Sequence, residues 1–69
     1  MPKFYSSDHV VKVLQRKGFV FISQKGSHMK FKKFGQPTLI VILPADKKEI
    51  PLGTFRSILR QSKLSEEDF

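Results

Sequence analysis

The chain has no cysteine, so neither disulfides nor thiolate metal sites can staple it, and its stability must come from packing and a regular backbone. That absence fits a reducing compartment. Acid is scarce as well: six Asp and Glu stand against thirteen Lys and Arg, for a formal charge of +7 and a pI near 10.1 in 69 residues. The balance favours a polyanionic partner, nucleic acid foremost. Glu66, Glu67 and Asp68 crowd one end while Lys25, Lys30, Lys32 and Lys33 cluster mid-chain, so the basic field is local. There is no long apolar run either. The longest, Leu39 to Leu43, is far too short to span a bilayer, and MPKFYSS lacks the apolar stretch of a signal peptide. The lysines fall in a strand-like segment rather than on an amphipathic helix, which argues against a membrane surface. A cytoplasmic protein with no membrane partner is expected. With no repeat, linker or low-complexity tract, residues 1–69 read as a single domain, one that buries only about 60% of its unfolded surface.

What is present is a regular alternation of elements. Ser6, Ser7 and Asp8 supply helix-capping oxygens, and Val10, Val11, Val13 and Leu14 recur at helical spacing until Gly18 offers a stop, predicting a helix over about Ser7 to Lys17. Phe19 to Gln24 is rich in aromatic and β-branched residues. Lys25-Gly26-Ser27 reads as a turn and His28 to Phe34 as a second strand, together a hairpin. Gly35-Gln36-Pro37 breaks that run, and Thr38 to Leu43 forms a third strand ended by Pro44. Pro51 suits the first turn of a second helix reaching Ser62, with Leu52, Phe55, Ile58 and Leu59 as its apolar stripe and Arg56, Arg60 and Lys63 beside it. Leu64 to Phe69 resembles the capped start of one more turn. The order α-β-β-β-α implies an α+β fold, a three-stranded antiparallel meander with both helices on one face, the order of double-stranded-RNA-binding domains.

Chemistry concentrates at His28. Strand alternation places His28, Lys30 and Lys32 on one face and Met29, Phe31 and Lys33 on the other. An imidazole, with an ordinary pKa of about 6.5, exchanges protons near neutral pH, and ammonium groups stabilise charge developing on phosphate. RNA brings its own nucleophile in the 2′-hydroxyl, so scission needs neither a metal nor a cofactor. The bland alternative is a surface histidine at a turn. Gly26 and Ser27 either just close that turn or expose amides to phosphate, and Lys25, Lys30 and Lys32 either hold phosphate or merely solubilise the chain. Thr54 reads first as a helix-start residue, although the amides beside it can bind an anion. His9 lies among Asp8, Lys12 and Arg16 and reads as a solvated bystander. Two isolated histidines do not make a metal site. Phe4, Phe19, Phe21, Phe31, Phe34 and Phe55 sit mostly at core periodicity, and no RNP-like pattern appears, so a base-stacking platform is not expected.

Lys17-Gly18-Phe19, then Gln24-Lys25-Gly26-Ser27-His28, then Glu49-Ile50 and the run Gly53 to Gln61 together resemble the HicA family over nearly the whole chain. The resemblance implies a double-stranded-RNA-binding-domain-like fold and a toxin of a type II toxin–antitoxin pair, an endoribonuclease that cuts mRNA until a HicB-type antitoxin masks it. It also implies that His28, in the family's Gly-Ser-His motif, is catalytic. After the third strand many relatives carry Pro-x-His, whereas this chain reads Pro44-Ala45-Asp46, so no second imidazole is available.

The expected set is therefore His28 as the catalytic group, with Lys25, Gly26, Ser27, Lys30, Lys32, Thr54, Arg56 and Arg60 binding RNA or phosphate. A module that binds structured RNA without cutting it, or a purely protein-binding one, are the competing classes. Strands 1 and 3 each show apolar residues on both faces, Phe19 and Phe21 against Val20 and Ile22, and Leu39, Val41 and Leu43 against Ile40 and Ile42. Some of that surface calls for another chain, and the charge calls for an acidic one. The expectation is a monomer when free and a hetero-oligomer with its antitoxin.

Overall fold

The computed structural model describes residues 4–69. Helix α1 (Ser7–Arg16) is followed by β1 (Val20–Lys25), β2 (His28–Lys33) and β3 (Leu39–Pro44), then helix α2 (Leu52–Ser62) and a 3₁₀ turn, Glu66–Asp68. This is the α-β-β-β-α order expected, with the strands antiparallel and in sequence order.

Helix α1 begins where the Ser6 hydroxyl accepts the amide of His9 at 3.1 Å, with Asp8 favourably placed at the positive end of the helix dipole. It ends in a Schellman motif: Phe19 N–H donates to the Leu14 carbonyl at 2.9 Å and Gly18 N–H to that of Gln15 at 3.1 Å. Gly18 turns the chain at φ +97°, a conformation that L side chains rarely adopt. The motif delivers Phe19 into the core beside Leu14. At the chain's far end Ser65 and Asp68 form a capping box around the 3₁₀ turn. The Ser65 amide and the Lys17 ammonium, 3.3 Å away, hold the Asp68 carboxyl below the usual carboxylate range.

The core lies between the helices and one face of the sheet. Val10 and Leu14 of α1 and Phe55 and Ile58 of α2 close over Phe31, Val41 and Leu43, with Phe19 and Ile50 at its ends. Each of these side chains contributes roughly 1.5–3 kcal/mol through burial. The helical layer is not centred on the sheet. Every residue of β1 is exposed, whereas α2 reaches the outer edge of β3, where the Gln61 carboxamide oxygen accepts the free Ile42 amide at 3.0 Å. The apolar residues of β1, Val20, Phe21 and Ile22, are therefore left largely exposed. Strand 3 divides as alternation requires, Val41 and Leu43 inward and Ile40 and Ile42 outward.

A buried hydroxyl joins α1 to the sheet. Ser7 Oγ donates to the Pro44 carbonyl at 2.7 Å and accepts the Lys47 amide at 3.0 Å, while the Ser7 amide donates to the Lys47 carbonyl at 2.8 Å. Ser6, not Ser7, is thus the cap, and Ser7 holds the segment after β3 in place. That segment in turn holds the β1–β2 turn, since the Ala45 amide donates to the Ser27 carbonyl at 2.7 Å.

Two substitutions test these joints. Gly18→Ala is expected to lower stability by about 1–2 kcal/mol from its left-handed backbone alone, because the neighbour that an added methyl meets is the flexible stem of Lys33 at 3.4 Å. Ser7→Ala removes the partner of the Pro44 carbonyl and of the Lys47 amide and is expected to cost about 0.5–1.5 kcal/mol for each bond lost. Urea titration followed by circular dichroism measures both. A Ser7→Ala midpoint equal to that of the parent would show that the hydroxyl carries no weight.

Candidate nucleic-acid interface

The hairpin that carries His28 is tight. Lys25 pairs directly with His28 across a two-residue loop, Gly26-Ser27. Gly26 has φ +60° while Ser27 stays at negative φ, the pattern of a type II′ turn, which needs glycine at its first central position. No atom lies within 4 Å of where a Cβ on Gly26 would stand, so its backbone is open to an approaching group. The Gln24 carboxamide donates to the Gly26 carbonyl at 3.0 Å and steadies the loop.

On the face away from the helices the side chains form rows read from the register. His28 is flanked by Lys25 and Pro44, Lys30 by Ser23 and Ile42, and Lys32 by Val20 and Ile40. Directly opposed side chains stand about 4.5–5.5 Å apart at Cβ, so Lys25 and His28 are neighbours. His28, Lys25 and Lys30 are exposed and Lys32 half-buried. Among the described residues the ion pair that forms, Lys17 with Asp68, lies elsewhere, so no carboxylate engages the lysines of this face.

One irregularity makes this arrangement possible. Phe21 pairs with Phe31 but Ser23 pairs with Lys30, so Ile22 is an extra residue, a β-bulge. Without it, Phe21 and Lys25, four residues apart, would point to the same side. With it, Phe21 sits on the core side, its ring 5.6 Å from that of Phe31 and edge-on, while Lys25 faces outward beside His28.

The structure gathers His28, Lys25, Gly26, Ser27, Lys30 and Lys32 at one end and along one face of the sheet. It does not bring Thr54, Arg56 and Arg60 to that face, for α2 packs on the other. Nor do those three form one group. Gln61 points to the β3 edge and Thr54, two turns earlier, shares its flank, whereas Arg56 and Arg60 lie about 140° and 100° around the helix from Gln61. The two arginines are exposed, and Arg60 donates to the Ser57 hydroxyl at 3.4 Å. At its start α2 is capped by Pro51 with no side-chain hydrogen bond. Asp46, the second residue after Pro44, is exposed with φ 57°.

Two expectations are corrected. His9 is half-buried rather than solvated: its ring stacks on Tyr5 at 4.8 Å and its Nε2–H donates to the Phe69 carbonyl at 2.8 Å, tying α1 to the last residue of the sequence. Asp8, Lys12 and Arg16 suggested a polar surface; Tyr5 lies only four residues earlier, but the fold alone brings Phe69 to it. The phenylalanines also divide. Phe19, Phe31 and Phe55 are buried, but Phe4, Phe21 and Phe34 are exposed, Phe34 to 67%. Lys32 Nζ stands 5.2 Å from the centre of the Phe34 ring, which places that ring at the end of the His28–Lys30–Lys32 line. Strand alternation continued one step past β2 would have put Phe34 there. Among the described residues no three His, Asp or Glu side chains converge as a metal would need, and no helix is long and apolar enough to cross a membrane.

No curated protein matches the chain. The family model for the HicA toxin of bacterial toxin–antitoxin systems matches residues 7–64, a span that runs from the buried Ser7 through the hairpin to the end of α2. The chain therefore belongs to the HicA family, toxins held in check by an antitoxin partner.

Proposed function

We propose that this toxin is an endoribonuclease that cuts mRNA without a metal, with His28 as its proton-transfer group. The observation that carries the reading is the exposed His28 set directly across from Lys25, with Lys30 and Lys32 in line behind it and no carboxylate paired to them. Imidazole removes the proton of a ribose 2′-hydroxyl, the freed oxygen attacks the adjacent phosphorus, and the bond to the 5′ oxygen breaks. The imidazolium so formed, or water, returns a proton to that leaving oxygen. Lys25 and Lys30 neutralise charge on the phosphate as it becomes five-coordinate, and Lys32 holds the next stretch of backbone. The Gly26-Ser27 turn leaves room for the chain to approach. Asp46 supplies no second imidazole, so proton traffic passes through His28. Arg56 and Arg60, on the outer flank of α2, and Thr54, on its opposite flank, offer separate contacts for longer or folded RNA away from the sheet face. The partner is a HicB-type antitoxin, acidic to suit the charge of +7, that covers the open sheet face in a hetero-oligomer formed in the cytoplasm.

His28→Ala is expected to fold normally and to lose about 10²- to 10⁴-fold in cleavage rate. Growth after induction and incubation of purified protein with RNA in the presence of chelator read this out. Undiminished toxicity in the variant removes His28 from the mechanism. RNA bound by the parent but left intact favours a non-catalytic structured-RNA-binding module on the same surface.

A further inference from the structure

The open face changes character along its length. At the hairpin end its rows carry Lys25, His28, Ser23 and Lys30. At the other end the row Val20–Lys32–Ile40 is mostly apolar, with Val20 47% and Ile40 45% exposed, and Phe34 lies beyond it. The charge of Lys32 stands 5.2 Å from the Phe34 ring centre, within the range at which an ammonium is held over an aromatic face. Phe34 contributes little to the core, which is made from the opposite face of the sheet.

We infer that Phe34, with Val20, Ile40 and Lys32 around it, is a base-binding subsite that makes single-stranded rather than duplex RNA the ligand of this face. The inference rests on the reading of His28, Lys25 and Lys30 as the phosphate-reacting end. Single-strand sites combine cations that follow the backbone with aromatic rings on which bases stack, and this face holds both in one line. From His28 to Phe34 is six residues, at most roughly 20 Å, a span for the several nucleotides that such sites accommodate. A base several nucleotides from the reacting phosphate lies over Phe34 while Lys32 meets the adjoining phosphate. In a duplex the base faces are stacked on one another and have nothing to offer the ring. The side chains of Phe34, Val20 and Ile40 carry no hydrogen-bonding group, so they discriminate by stacking and apolar contact rather than by base identity.

The test uses full-length protein carrying His28→Ala, so that binding is read without cleavage, and one unstructured RNA oligonucleotide, free or annealed to its complement. Adding Phe34→Ala is expected to weaken binding of the single strand about 5- to 100-fold and to leave duplex binding unchanged. Phe34→Trp should restore single-strand affinity. Circular dichroism and urea midpoints should match the parent, because the ring is outside the core. Equal single-strand affinity with and without the ring overturns the subsite. Loss of antitoxin affinity with RNA affinity intact also overturns it, and makes the patch a protein-docking surface. If the His28→Ala parent binds neither form of RNA, the nuclease reading itself fails, a result distinct from either of these.

Discussion

The buried hydroxyl of Ser7 is the joint on which the placement of His28 depends. It donates to the carbonyl of Pro44 and accepts from the amide of Lys47, so the chain leaving β3 is held against the start of α1. Pro44 is the register partner of His28, and the next residue, Ala45, donates its amide to Ser27 inside the turn. An otherwise exposed hairpin tip is therefore tied at its base to the buried Ser7 at the start of α1. The backbone beneath His28 is thus held through Pro44 and Ala45 by a run of hydrogen bonds that begins at one serine.

The two faces of the sheet have separate duties because the strands keep them apart. Phe31, between β1 and β3, is buried, while its neighbours Lys30 and Lys32 face outward. The bulge at Ile22 preserves that division across β1, giving Phe21 a partner ring on the core side and Lys25 a place beside the imidazole. A regular strand would surrender one or the other. The cost is small, since the bulged strand is an edge strand whose outer amides are unpaired to begin with.

Much of this was legible in the residues. Helical spacing in Val10, Val13 and Leu14, the stop at Gly18, the turn at Gly26-Ser27 and the break before Thr38 place the elements within one or two residues of where they lie, because each is a local signal. Alternation in β2 correctly assigned His28, Lys30 and Lys32 to one face. The bulge was not legible, since a single inserted residue leaves the run of strand-forming side chains unaltered and shows itself only in pairing. The bond of His9 to Phe69 and the paired hydrogen bonds of the Ser7 hydroxyl were hidden for the same reason, as their partners lie about forty to sixty residues away. Arg56 and Arg60 lay beside an apolar stripe as expected, but their direction relative to the sheet depends on which flank of α2 meets β3, and Gln61 decides that. Phe34 was grouped with phenylalanines that sit mostly at core periodicity, although its own parity with Lys32 pointed outward.

The bare strand follows from where the helices are anchored, not from how many there are. Three strands about 4.8 Å apart make a sheet roughly 14 Å wide, and two helices packed 8–10 Å apart are broad enough to cover it. They are instead drawn toward β3, where Ser7 grips Pro44 and Gln61 caps the edge amide of Ile42, and β1 is left with Val20, Phe21 and Ile22 in solvent. A helix moved over β1 would bury more apolar surface but would release the joint that sets the turn beneath His28. The fold keeps the joint and exposes the strand. In a toxin that lives with an antitoxin, the uncovered apolar strand is surface that a bound partner can bury, so the same displacement that holds the hairpin end of the sheet also leaves the chain something for its inhibitor to hold.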